Sequence, residues 1–251
     1  MSGWDWPTVR LPRNHVDLPL APGGRVELPE RVARHLLQVL RLREGARILL
    51  FNGRDGRDYL ARLAHLRKGT AQAEILEARE VEPPPPLALH LALGISRGER
   101  MDYALQKAVE LGVASLQPLF TERTVVRLEG KRLEKRTAHW QGVVTSACEQ
   151  SGRRYLPQLH APLRLAAWLE RAAPPVLLLD PRAESSLPEL PAPEKRLTFL
   201  IGPEGGLNEK ERNLAYARGC TGVRLGPRVL RTETAPLAAL AAAQVLWGDF
   251  C

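Results

Sequence analysis

The sequence predicts an open α/β sheet with helices on both faces, preceded by a small β-barrel. Three observations carry this: a proline run that divides the chain, short β-patterned segments before it, and alternating strand and helix patterns after it. The break is Glu82-Pro83-Pro84-Pro85-Pro86. Consecutive prolines fit neither a ladder nor a helix interior, and they favour a stiff extended spacer. Two domains are therefore expected, residues 1–82 and 83–251.

Before the break, Arg47–Phe51, Tyr59–Leu63 and Ala71–Ile75 read as strands. Asn52-Gly53 reads as a hairpin turn, because both residues tolerate positive φ. One helix interrupts the strands, from Pro29 to Leu40, with Val32, Leu36, Val39 and Leu40 at apolar spacing and Arg31, Arg34 and Arg41 beside them. After the break, Leu87–Leu93 is an apolar run followed by an amphipathic helix carrying Met101, Leu105, Ala108 and Leu111, closed by Gly112. Val113–Leu119 is a further strand, and Lys131–Ser151 a long helix with Leu133, Trp140, Val144 and Ala147 on one face. Val176–Leu179 and Leu197–Ile201 are apolar throughout, as strands buried on both faces are. Asn208 and Glu211 have the spacing of a capping box, Val223–Leu225 is a last short strand, and Pro236–Trp247 a last Ala-rich helix. Alternation of this kind builds a parallel sheet.

Composition narrows the partners. Against 28 Asp and Glu stand 36 Lys and Arg, a formal charge of +8. A surplus of this sign favours polyanions, since each neutralised phosphate releases condensed counterions. No apolar run approaches the ~20 residues of a membrane span, and no secretory leader pattern is visible. The 3 cysteines form no CxxC pair and the 6 histidines no ligand-like pair. The expectation is a cytoplasmic protein without structural metal or membrane association. Cys148, within the long helix, reads as a packing residue rather than a nucleophile.

Ligands of open α/β sheets bind beyond the carboxyl ends of the strands. Two unusual loops fall there. Ile201-Gly202-Pro203-Glu204-Gly205-Gly206 follows a strand and precedes a capped helix; its glycines let the backbone approach a ligand closely. It has neither the GxGxxG spacing nor a following GK[ST], which disfavours a phosphate-loop nucleotide enzyme. Leu225-Gly226-Pro227-Arg228-Val229-Leu230-Arg231-Thr232-Glu233-Thr234 sets two arginines and a carboxylate between a strand and the last helix.

The pair of loops resembles the signature of the SPOUT methyltransferases and, within them, the RsmE family, which methylates N3 of a uridine in 16S ribosomal RNA. Arg10-Leu11-Pro12-Arg13, His35–Arg41, Ser96–Met101, Gln106-Lys107 with Glu110–Gly112, and Ala147–Arg153 extend the likeness over nearly the whole chain. The resemblance implies a PUA-like RNA-binding barrel, a catalytic domain with a deep trefoil knot, and a homodimer acting on 16S RNA, with the assembled 30S subunit as the expected substrate. It implies S-adenosyl-L-methionine as cofactor, cradled by Leu179, Ile201, Gly202, Gly205, Gly206, Leu225, Gly226 and Leu230.

Uridine N3 is a poor nucleophile until its proton leaves, and the resulting charge spreads over the ring carbonyls. Arg231, then Arg228, are the candidates to stabilise that charge. Glu233 or Glu204 are the candidates to accept the proton, with Glu149 a further possibility. Arg10, Arg13, Arg34, Arg41 and Arg43 are expected to hold RNA phosphates. A related methyltransferase acting at another RNA position or on transfer RNA, and a non-catalytic RNA-binding factor of the same fold, remain alternatives at this point.

Overall fold

The computed structural model describes residues 11–67, 70–126 and 128–250. The chain forms two compact units: Met1–Pro83 with Cys148–Leu156, and Pro84–Ala147 with Pro157–Cys251. The proline run marks the first crossing; the return of residues 148–156 to the first unit has no such mark in the sequence.

In the first unit, β1 (Arg13–His15), β2 (Arg25–Glu27), β3 (Arg47–Phe51), β4 (Tyr59–Arg67) and β5 (Thr70–Ala78) form one sheet in the order β1-β3-β4-β5-β2. The β1–β3 pair is parallel and the rest antiparallel. Tyr59, Ala61 and Leu63 on β4, and Ala71, Ala73 and Ile75 on β5, are buried at every second position, so one face of the sheet meets a core completed by Val32 and Leu36. Among the described residues no ladder joins β1 to β2, so the expected barrel is here a sheet with two edges.

Two local expectations are corrected. Asn52-Gly53 does not make a two-residue hairpin. Asn52 Oδ1 instead accepts from the amides of Arg54 and Asp55, at 2.9 and 3.2 Å, and starts a longer loop. The helix expected over Pro29–Leu40 is α-helical only as α1 (Glu30–Arg34) and continues as a π-helical turn over His35–Val39. The wider turn leaves Val39 66% and Leu40 40% exposed rather than facing the core.

Arg13 is also corrected: it is a structural tie, not an RNA contact. Its Nε donates to Asp58 at 2.8 Å, and its two terminal nitrogens donate to the carbonyls of Cys148 and Arg153 at 2.6 and 2.8 Å. Its guanidinium lies 3.8 Å from the centre of the Phe51 ring. Burial lowers the pKa of this guanidinium, against the opposing field of Asp58. The Arg13 and Asp58 side chains are 8% and 7% exposed, so all three nitrogens of this guanidinium are engaged inside the protein. Arg10 lies outside the described residues.

The second unit is a parallel sheet of β6 (Ala88–Gly94), β7 (Ser115–Phe120), β8 (Gln158–Leu159), β10 (Val176–Leu179), β11 (Arg196–Ile201) and β12 (Thr221–Val223), ordered β12-β10-β11-β6-β7-β8, with β9 (Leu163–Arg164) also on β7. Its helices are α2 (Glu99–Glu110), α3 (Gly130–Ser151, which ends in the first unit), α4 (Leu165–Leu169), α5 (Glu209–Ala217) and α6 (Thr234–Trp247). Leu197, Phe199, Leu200 and Ile201 are all buried, as a central strand with both faces covered requires. The capping box on α5 is formed: Asn208 Oδ1 accepts from the Glu211 amide at 2.8 Å and Glu211 answers at 2.9 Å. Buried Gln244 of α6 donates to the carbonyl of Leu111 at 2.9 Å, fixing the last helix to the end of α2. Among the described residues no helix is long and apolar enough to cross a membrane, and no group of three metal-ligating side chains forms.

Arg13→Ala strips two carbonyls of their donor and takes from buried Asp58 the nearer of its two arginine partners, Arg154 being the other. It is expected to destabilise the first unit by about 3–5 kcal/mol, measured by chemical denaturation. Unchanged stability with weakened RNA binding would return Arg13 to the RNA surface.

Candidate functional site

A cavity of about 590 Å³ opens beyond the carboxyl ends of β10, β11 and β12. Three strand-to-helix connections wall it. Leu179, Asp180 and Pro181 follow β10; Ile201 through Gly206 end β11 and turn towards α5; Val223 and the segment from Leu225 to Ala235 lead from β12 into α6. All of the predicted lining positions meet here: Leu179, Ile201, Gly202, Gly205, Gly206, Leu225, Gly226 and Leu230, together with Glu204, Arg228, Arg231 and Glu233.

Close backbone approach explains the glycines. A Cβ on Gly94, the last residue of β6, would lie 2.4 Å from the nitrogen of Pro203; one on Gly202 would lie 2.8 Å from the nitrogen of Leu207. Neither clash can be relieved by a side-chain rotation, because the opposing atoms are main chain. Thr232 fastens the two loops to each other. Its hydroxyl donates to the Gly202 carbonyl at 3.1 Å and sits 3.3 Å from the Ser96 hydroxyl, just past β6. At 9% exposure this polar contact is shielded from water, where a hydrogen bond is costly to leave unmade.

The two carboxylates differ. Glu204 Oε1 accepts from the amide of Arg97 at 2.8 Å and from Arg100 at 3.3 Å. Burial of this carboxyl opposes its ionisation, but the Arg97 amide and the Arg100 guanidinium outweigh that, and its pKa lies below the ordinary value. Glu233 stands at the start of α6 without capping it through its side chain. One oxygen of each carboxylate, Oε2 in both cases, is buried and has no hydrogen-bond partner within the protein. Two carboxylate residues on the lining of one cavity favour a cationic or hydrogen-donating occupant. The arginines sit at the outer side of the same cavity, with Arg228 and Arg231 exposed and Val229 between them 83% exposed.

Other positions are resolved as follows. Glu149 is not among the residues lining the cavity; within the first unit it accepts from the His15 amide at 3.0 Å and from Arg31 at 3.1 Å. Burial pushes the Cys148 thiol up to about 11, which suits a packing role and not a nucleophile. Arg34, Arg41 and Arg43 are exposed on the first unit, Arg34 paired with Glu30. The sequence reading missed Asp180 and Thr232. Asp180 accepts from Tyr216 at 3.0 Å and from the Arg182 amide at 3.0 Å, which shapes the loop after β10. A polar residue directly after an apolar strand was its available signal. A second cavity, of about 540 Å³, lies at the opposite ends of β10 and β11 among Pro174, Pro175, Leu190, Pro191, Leu197 and Trp247; it lacks the glycine-lined main chain of the first.

Comparison with known proteins gives the family. The RNA methyltransferase domain matches residues 83–244, and the RNA methyltransferase PUA domain matches residues 28–76, so the first unit is PUA-like. Similar proteins include the ribosomal RNA small subunit methyltransferase E of Buchnera aphidicola subsp. Schizaphis graminum, 31% identical over 96% of this chain and 98% of that one. Its counterpart in Synechocystis is 36% identical over 86% of this chain and 71% of that one. Among solved structures, the small subunit methyltransferase E of Neisseria gonorrhoeae bound to S-adenosyl methionine is 42% identical, covers 96% of this chain and all (100%) of that one, and has a TM-score of 0.89. A putative methyltransferase from Legionella pneumophila in complex with the cofactor SAM is 36% identical over 96% and 100%, with a TM-score of 0.93. A domain match across most of the chain and relatives similar over their full length agree: the chain belongs to the ribosomal RNA small subunit methyltransferase E family.

Proposed function

We propose that this protein transfers the methyl group of S-adenosylmethionine to N3 of a uridine in 16S ribosomal RNA, with the assembled 30S subunit as substrate. One observation carries the reading: the glycine loop after β11 and the Arg-Thr-Glu loop after β12 line a single cavity, with Glu204, Arg228, Arg231 and Glu233 among its lining residues. The residues fit the donor. A volume of about 590 Å³ suits a ligand of that size. Main chain at Gly202, Gly205, Gly206 and Gly226, with Leu179, Ile201, Leu225 and Leu230, offers an apolar slot edged by amides and carbonyls for adenine. The negative charges of Glu204 and Glu233 on the lining complement the donor's ammonium and sulfonium charges.

When bound, the donor supplies a methyl group already activated on a positive sulfur, so the protein has only to place the acceptor and manage one proton. Arg231, with Arg228 beside it, stabilises the negative charge that develops on the uracil ring as N3 loses its proton. Glu233 accepts that proton. Glu204 is the poorer base, because its pKa is depressed and one oxygen is held by Arg97 and Arg100. The exposed Arg34, Arg41 and Arg43 hold RNA phosphates. The trefoil knot implied by the family resemblance is consistent with a parallel sheet in which β10 lies between β12 and β11. Pairing of two protomers is supported by Val245, Leu246 and Phe250, apolar and 60%, 40% and 50% exposed at the end of the chain. The reaction belongs in the cytoplasm, where its RNA is made.

Incubation with methyl-labelled donor and unmodified 30S subunits, free 16S RNA or transfer RNA tests the substrate. A methyl on N3 blocks the Watson–Crick edge, so reverse transcription should halt at one uridine of the 30S RNA. A methyl on transfer RNA, or at a position that leaves that edge free, would reassign the substrate. Arg231→Ala is expected to lower single-turnover methylation by about 100- to 1,000-fold, while donor affinity measured by calorimetry stays near wild type. Unchanged turnover would remove Arg231 from the mechanism.

A further inference from the structure

Val39 and Leu40 are the least expected exposed residues of the first unit. Their spacing from Val32 and Leu36 would carry an ordinary α-helix round to the core. The chain instead widens into the π turn over His35–Val39, where the Leu40 amide donates back to the His35 carbonyl at 3.0 Å. The turn is closed by Arg41 in the left-handed region at φ 54°, with the Leu42 amide reaching the Leu36 carbonyl at 3.0 Å. A residue other than glycine is strained there, and such strain gathers at functional positions. Its local effect is to leave Val39 and Leu40 66% and 40% exposed. Around them Arg34, His35, Arg41 and Arg43 are exposed as well, and among the described residues Arg41 and Arg43 form no ion pair.

The chemistry of the surface selects its partner. The arginines ask for phosphates. The two apolar side chains ask for an apolar surface in the same place, and a paired A-form helix does not offer one: its accessible groove presents hydroxyls and base edges, while the base faces are stacked away. An unstacked nucleobase offers a face next to its own phosphate. We infer that Val39 and Leu40 form an apolar platform for an unpaired base, with Arg41 and Arg43 on the flanking phosphates, so that the first unit holds its RNA at a single-stranded stretch. This rests on the RNA-methylating reading above and narrows it to a class of RNA structure.

The test uses the full-length protein, a single-stranded RNA oligonucleotide and the same strand annealed to its complement, with affinity followed by fluorescence anisotropy across a salt series. Wild type should bind the single strand more tightly than the duplex. Val39→Ser with Leu40→Ser should weaken single-strand binding about tenfold, with the salt slope and duplex affinity unchanged. Arg41→Gln should instead lower the salt slope, by about 0.7 for one phosphate. Leu40→Trp, which enlarges the platform, should tighten single-strand binding, a gain that an unfolded variant cannot show. The proposal is overturned if the serine variant keeps wild-type affinity, if it loses single strand and duplex equally, or if sedimentation shows that the same variant splits an oligomer, which would make the patch a contact between copies. Calorimetry with the donor separates the two levels. A wild type that binds donor but prefers duplex sinks the platform alone; a wild type that binds no donor sinks the enzymatic reading beneath it.

Discussion

The hydroxyl of Thr232 holds the second unit's chemistry in place, because it is where two separate strand-to-helix connections become one wall. Its bond to the Gly202 carbonyl and its approach to Ser96 link the ends of β6 and β11 to the segment that follows β12. The glycines make this approach sterically possible: at Gly94 and Gly202 any side chain would collide with main chain. Adjacent parallel strands bring three connections to the same edge of the sheet, so small loops suffice to enclose a ligand-sized cavity. The cavity is therefore a consequence of strand order, two close backbone passages and one buried hydroxyl.

Electrostatics then divides the labour among like residues. Glu204 Oε1 is held by the Arg97 amide and Arg100, which keep its pKa below the ordinary value, whereas the Glu233 side chain does not cap the helix that it begins. The arginines divide in the same way. Arg13 engages all three of its side-chain nitrogens with Asp58 and two carbonyls inside the first unit, whereas Arg228, Arg231, Arg41 and Arg43 remain exposed to what approaches from solvent. A surplus of positive charge in the sequence says that polyanions are favoured; burial decides which residues meet them.

What could be read from the sequence follows from how local its cause is. The parallel strands at Val176–Leu179 and Leu197–Ile201 announce themselves because burial on both faces demands apolar residues in succession. The capping box at Asn208 and Glu211 is a three-residue event, and it is found where the pattern puts it. The loops lining the cavity were legible from glycine spacing and family resemblance together. Other features depend on partners distant in the chain. Strands as short as Arg13–His15 and Gln158–Leu159 carry no periodicity, and exist because a neighbour supplies a ladder. The π turn at His35–Val39 hides in a sequence with good helical spacing. Arg13 looked like a phosphate ligand because nothing local reveals Asp58 and the carbonyls of Cys148 and Arg153 waiting for it.

The central claim is that the Thr232 clasp makes the donor site, and donor affinity of two Thr232 variants measures it most directly. Thr232→Val preserves shape but takes from the Gly202 carbonyl its Thr232 donor, and the account predicts about 10- to 100-fold weaker binding of S-adenosylmethionine by calorimetry. Thr232→Ser keeps the hydroxyl and should bind near wild type. Wild-type affinity in the valine variant, or an equal loss in the serine variant, would contradict the account.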